Sequence, residues 1–185
     1  MTTTRRTLLA VPLLGVVTAC GSGATPSTSA STADPPGDAV GRPSDTTDSA
    51  RADQVTMTVF KDPSCGCCGG WVEHAEEHGF AVTTEVTDDL DALWNRHDIP
   101  ADLQSCHLVR TRGGDLFVGH VPARHVLKYL DDPPKGARGL SVPAMPVGTP
   151  GMEQGDRFEP YRVMLLTDGD PKVFATVSSR ADQEV

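Results

Sequence analysis

The chain has 185 residues and a formal charge of −9 at neutral pH, with 22% charged and 38% apolar residues, 15 prolines and 18 glycines. That length supports one domain of ordinary size rather than two, and the proline and glycine content assigns much of it to turns and linkers. A negative balance with no cluster of Lys and Arg argues against a nucleic-acid partner, because affinity for a phosphate backbone comes from clustered cations.

At the start, Arg5 and Arg6 precede the apolar run Leu8 to Val17, which is too short to span a bilayer of roughly 30 Å as a helix. A charged start, a short apolar middle and small residues at its end predict a cleavable signal peptide over residues 1–19. The run closes on Val17-Thr18-Ala19-Cys20-Gly21, which resembles the lipobox of bacterial lipoproteins. That resemblance implies acylation of Cys20 as the first mature residue, and so a lipid anchor at the extracytoplasmic face of the cell membrane. A plain signal peptide with an incidental Cys20 is the alternative, and Arg5-Arg6 also fits a twin-arginine signal. Of the 34 residues from Gly21 to Gln54, 30 are Gly, Ala, Ser, Thr, Pro or Asp, and none is aromatic, Leu or Ile. Such a segment buries too little apolar surface to offset the entropy of ordering it, so residues 20–54 read as an acylated cysteine and a disordered tether.

The domain is expected over residues 55–177. Val55 to Phe60 alternates apolar and polar, the period of a strand with one buried face. After Lys61-Asp62-Pro63-Ser64, Trp71, Val72 and Ala75 fall at helical spacing up to Gly79, a C-terminal cap. Phe80 to Val86 predicts a second strand. Asp88 is placed to cap a second helix, whose Leu90, Leu93, Trp94 and His97 follow helical periodicity before Pro100. His107 to Thr111 and Leu116 to Val118 flank Arg112-Gly113-Gly114-Asp115 as a hairpin, and Pro122 suits the first turn of a third helix carrying Val126, Leu127 and Leu130. After a Pro/Gly-rich loop, Tyr161 to Leu166 and Val173 to Val177 form a further hairpin, and residues 178–185 are expected to fray. The order β-α-β-α-β-β-α-β-β implies an α/β fold, a mixed sheet flanked by helices. A strand delivering cysteines to a helix N-terminus within such a unit resembles the thioredoxin fold.

Five cysteines are present: Cys20, the cluster Cys65-Gly66-Cys67-Cys68, and Cys106. A helix N-terminus favours the thiolate, the form that both binds metal and attacks disulfides. Cys65 and Cys68 form the C-x-x-C pair of a thiol-disulfide oxidoreductase, with Cys65 as nucleophile and Cys68 as resolving thiol. Cys67 complicates that scheme by offering a third partner to every mixed disulfide, whereas three sulfurs within one turn converge readily on a soft ion such as copper(I) or zinc. Two structural disulfides among the four domain cysteines are a third reading. Cys106-His107 adds one soft and one borderline ligand, and His120 is a further candidate, with a hydrogen-bonded strand-end histidine as its alternative. Met145 and Met152 are thioether candidates for which core packing is preferred. His74 and His78, four apart on the first helix, are expected to face solvent.

Four stretches carry a pattern together: Asp62-Pro63-Ser64-Cys65-Gly66-Cys67-Cys68-Gly69-Gly70-Trp71, Leu103-Gln104-Ser105-Cys106-His107, Gly119-His120-Val121-Pro122, and Met145 to Glu153. In this order they resemble the domain-of-unknown-function family 411, over about Thr56 to Val177, whose members are exported, thioredoxin-like and generally described as metal-binding, often near copper-resistance functions. The resemblance implies copper handling by Cys65, Cys67, Cys68, Cys106 and His107. Ala144 and Thr149 stand where that family usually has Gly and Ser. The expected function is a membrane-tethered copper(I)-binding protein that sequesters copper or hands it to a transfer partner, rather than an enzyme; the alternative is the oxidoreductase.

Overall fold

The computed structural model describes residues 55–184. The signal peptide, Cys20 and the tether lie outside the described residues. Strands β1 (Thr56–Lys61), β2 (Ala81–Val86), β3 (His107–Thr111), β4 (Leu116–Val118), β5 (Ala137–Ser141), β6 (Tyr161–Thr167) and β7 (Lys172–Val177) alternate with helices α1 (Cys67–Glu77), α2 (Leu90–Arg96) and α3 (Ala123–Asp131). They form one sheet in the order β2-β1-β3-β4-β5-β6-β7. β1 runs parallel to β2 and antiparallel to β3, β4 pairs antiparallel with β3 and parallel with β5, and β5, β6 and β7 form an antiparallel meander. The mixed α/β class expected from the element order is therefore the one observed.

Alternation along the strands sends apolar side chains to both faces. On one face Met57, Val59, Val109, Phe117, Leu140 and Val163 pack with Trp71 and Ala75 of α1 and Val126 and Leu127 of α3. On the other, Leu108, Leu116, Val118 and Leu166 pack with Leu93 and Trp94 of α2. Each fully buried large side chain contributes about 1.5–3 kcal/mol of transfer free energy, so the first layer holds α1 against the sheet and the second holds α2 on the opposite face. Among the described residues, no helix is long and apolar enough to cross a membrane.

Four local differences from the sequence reading have physical causes. Asp89, not Asp88, caps α2, its carboxylate accepting from the Ala92 N–H at 2.8 Å. Pro122 is the N-cap of α3 rather than a residue of its first turn. β5 is an added strand, hidden in sequence because Arg138 and Gly139 break its alternation at a register shift between Ala137 and Gly139. The tail expected to fray is tied down over its described part: Ser179 and Asp182 form a capping box around the short turn Arg180–Asp182, and Gln183 is buried.

Gly139 has a φ of 150° and lies so close to β4 that a Cβ there would sit 1.7 Å from the Leu116 carbonyl oxygen. Gly139→Ala should therefore push β5 off β4 and cost about 2–4 kcal/mol, read as a lower urea midpoint in equilibrium unfolding.

Candidate metal centre

β1 ends at Lys61, and a tight turn follows in which the Cys65 N–H donates to the Asp62 carbonyl at 3.0 Å. The Asp62 carboxylate accepts from the Ser64 N–H at 2.8 Å, and the hydrogen bonds from Ser64 hold its acid below the usual range. α1 then begins at Cys67 behind Gly66, an N-cap without a side-chain acceptor. Cys65, Cys67 and Cys68 are thus grouped around a helix start whose backbone N–H groups favour negative charge. The Lys61 ammonium donates to the Cys65 carbonyl at 3.1 Å and adds a cation to the same corner.

Sheet register supplies the second half of the site. Lys61 is paired with His107 in the β1–β3 ladder, so Cys106-His107 lies beside the turn that carries Cys65. In the β3–β4 ladder Leu108 pairs with Val118, and the Gly119 N–H donates to the His107 carbonyl at 3.0 Å, which turns His120 back over Cys106. Cys106 Sγ is 3.1 Å from His120 Nε2 and 3.4 Å from His107 Nδ1. Both imidazoles are fully buried. The Trp71 indole N–H donates to the Val121 carbonyl at 2.9 Å and its ring lies 5.0 Å from that of His107, so α1 clamps the histidine corner as well as carrying the thiols.

Cys65 and Cys68 are joined in a disulfide, while Cys67 and Cys106 are free thiols, both half-buried. The two-disulfide arrangement is therefore not the one present. Cys65 and Cys67 sulfurs are 3.7 Å apart. Two groups are compact enough to hold a metal ion: Cys65, Cys67, Cys68 and Cys106, and Cys106, His107 and His120, with the ligand atoms of each group within 4.8 Å of one another. Two thiolates on one ion at about 2.3 Å per bond lie no more than about 4.6 Å apart, so the group has the right span for one ion once the Cys65–Cys68 disulfide is reduced and its sulfurs separate. Soft thiolates with borderline imidazoles are a donor set for copper(I) or zinc and not for hard cations. The His107 nitrogen that faces Cys106 is Nδ1, while its Nε2 is buried without a hydrogen-bond partner.

Electrostatics set the protonation state of the metal-free site. Burial, then the neighbouring Cys67, push the Cys106 thiol up to about 12. Burial also holds His107 well below the ordinary histidine range, and lowers His120 against the opposing pull of the Pro150 carbonyl and Glu153. At neutral pH the corner therefore holds a protonated thiol between two neutral imidazoles. A metal entering it displaces the Cys106 proton, which links binding to pH.

The loop from Met145 to Met152 covers this corner. The Pro150 carbonyl lies 2.7 Å from His120 Nδ1. At Gly151 a Cβ would stand 2.5 Å from the Trp71 nitrogen and 2.9 Å from the Cys67 carbonyl oxygen, so the loop backbone rests directly on the first turn of α1. Ala144 adopts a left-handed φ of 58°, the conformation for which glycine is suited, and its carbonyl is held by the Ser105 hydroxyl. Thr149 is buried and donates its hydroxyl to the Pro146 carbonyl at 2.9 Å, as a serine would. Met145 is 49% exposed, and Met152 closes the loop through its backbone, donating to Thr149 and accepting from Gly148.

His74 and His78 do not face solvent as expected. His74 Nε2 accepts the Ala123 N–H at 3.1 Å, serving an otherwise unpaired donor at the start of α3, and His78 Nδ1 donates to the His74 carbonyl at 2.7 Å. Burial, then His78, lower the His74 pKa to about 4, consistent with its accepting role. The Pro150 carbonyl was not legible in the sequence, because a backbone acceptor has no residue-type signature.

Fold and site define a mixed α/β domain whose thiol and imidazole groups are placed to hold a soft metal ion. The chain belongs to the family described as "Protein of unknown function, DUF411", whose model matches residues 103–152. That stretch holds Cys106, His107, His120 and the covering loop. No curated protein matches the chain. Among solved structures, one titled "Copper resistance protein copG- Form 2" is 40% identical, with 66% of this chain and 98% of that chain covered and a TM-score of 0.62. Another, titled "Copper resistance protein copG- Form 1", is 41% identical, with 66% and 96% covered and the same TM-score of 0.62.

The raised thiol of Cys106 makes a direct prediction. In the reduced, metal-free protein at pH 8, Cys106 should react with iodoacetamide at least about tenfold more slowly than a free cysteine, as followed by peptide mass spectrometry.

Proposed function

We propose that the protein is an extracytoplasmic copper(I)-binding protein, anchored to the membrane through acylated Cys20, that sequesters copper or passes it to a transfer partner. Its ligands are Cys65, Cys67, Cys68, Cys106 and His107, joined by His120. The observation that carries this reading is the convergence of three cysteine sulfurs and two imidazoles on Cys106, with the ligand atoms of each group within 4.8 Å of one another. Thiolates prefer copper(I) and zinc over hard cations, and the solved relatives whose titles name copper resistance favour copper between the two. The strand order β2-β1-β3-β4, with the cysteines at the junction of β1 and α1, is the arrangement we read as thioredoxin-like.

The reduced protein is the form that loads, since the Cys65–Cys68 disulfide occupies two of the four sulfurs. Titrated with copper(I) against a competing chelator, the reduced protein should bind tightly, and the triple variant Cys65→Ser, Cys67→Ser, Cys68→Ser should lose that binding. Equal binding by the variant would sink the proposal, and tighter retention of zinc than of copper(I) would reassign the metal.

One observation favours a second reading. A disulfide across a C-x-x-C pair at a helix start is also the resting state of a thiol-disulfide oxidoreductase. That reading expects turnover of a model disulfide substrate that Cys65→Ser abolishes and Cys67→Ser leaves intact.

A further inference from the structure

The C-terminal segment reaches back to the metal corner through one buried side chain. Gln183, only 6% exposed, accepts from the Tyr161 hydroxyl at 2.6 Å and donates its amide to the Gly148 carbonyl at 3.0 Å. Burial raises the Tyr161 pKa, so its hydroxyl remains a donor. Gly148 belongs to a turn that is closed on itself: its N–H donates to the Met152 carbonyl at 2.9 Å, and the Met152 N–H donates to the Thr149 carbonyl at 2.8 Å. Val147 is fixed to Glu159 on the outer side, its carbonyl accepting from the Glu159 N–H at 2.9 Å. A turn so closed moves as a unit, so a hold on Gly148 is also a hold on Pro150 and Gly151.

Pro150 is where this turn meets the site. A carbonyl oxygen can only accept, so His120 Nδ1 carries the proton, and in the neutral ring Nε2 keeps its lone pair and faces Cys106 Sγ at 3.1 Å. The tautomer and the ring direction of a coordinating histidine are set by the partner of its other nitrogen. Here that partner is a backbone oxygen on a loop, and the loop is pinned by a residue 30 or more positions downstream. The tail itself is anchored independently: Arg180 donates to the Gly155 and Arg157 carbonyls, and Arg124 donates to the Glu184 carbonyl at 3.1 Å.

We propose that Gln183 is a positioning residue of the metal centre: by holding the Gly148 carbonyl it fixes the covering loop, and through the Pro150 carbonyl it presents His120 Nε2 to the ion shared with Cys106. This deepens the metal-binding reading given above and depends on it for the ion, but not for the state of His120.

The experiment uses the full chain, reduced and metal-free, at pH 7.5. Long-range proton–nitrogen correlation of the imidazoles reads the tautomers, with the His120 signals assigned by their absence in His120→Gln. In the wild type His120 should be a single Nδ1–H species. In Gln183→Leu, measured well below its melting temperature, an Nε2–H species should appear, and copper(I) affinity should fall by about tenfold or more. Tyr161→Phe leaves the bond to Gly148 and should keep the wild-type tautomer. Should Gln183→Leu fail to fold, Gln183→Met, which keeps the length of the side chain and removes its amide donor to Gly148, carries the same criterion. An unchanged His120 tautomer in the folded variant overturns the proposal, and so does the Nε2–H species in the wild type. A wild type that binds no copper(I) defeats the proposed function instead, with the tautomer still deciding the role of Gln183.

Discussion

The pairing of Lys61 with His107 in the β1–β3 ladder is the constraint on which the site depends. β1 runs into the cysteine turn and β3 runs out of Cys106, so antiparallel pairing with those two residues opposite brings 65–68 and 106–107 to one end of the sheet. A slip of one residue by either strand would reverse that strand's faces, sending Val59 or Val109 out of the core, which is why the register is strongly specified. The geometry of the ligands is thus inherited from the packing of apolar side chains beneath them. α1 completes the coupling, since Trp71 is at once a core residue and the donor that pins Val121 beside His120.

Two demands conflict at this corner. Thiolates require a polar or positive setting, which the start of α1 and Lys61 provide for the cluster. The imidazoles and the half-buried Cys106 instead sit where burial disfavours charge on all three. The result is a site with one thiol held protonated, one imidazole nitrogen without a partner, and one imidazole oriented by a backbone oxygen. A soft cation at Cys106 would relieve part of these costs, by exchanging the proton and bringing positive charge where anionic sulfur is otherwise unfavourable.

Much of the fold was legible in the sequence because its signals are local. The alternation of Val55 to Phe60, the helical spacing of Trp71 and Ala75, and the Gly-Gly turn after Thr111 each correspond to an observed element. What was missed depends on partners distant in sequence. β5 carries a glycine in mid-strand because the Leu116 carbonyl approaches there, and no pattern within Ala137–Ser141 announces that neighbour. Polar residues 178–184 read as a tail, yet Gln183 finds two buried partners that local composition cannot reveal. The thiols and Cys106-His107 were identifiable by residue type, and the structure brings them together with His120. His74 shows the same limit: it reads as a surface residue, but its ring nitrogen serves the backbone of α3.

The ligands are also graded in depth. Cys65 and Cys67 are half-buried at the rim, whereas Cys68, His107 and His120 are fully enclosed. An ion arriving from solvent therefore meets sulfur before nitrogen, and leaves in the opposite order. Under the proposed function, capture and release would fall to the half-buried rim sulfurs, and the enclosed imidazoles would govern how long an ion stays. On that reading residence time and exchange rate would belong to different parts of one site, one set by its floor and the other by its rim.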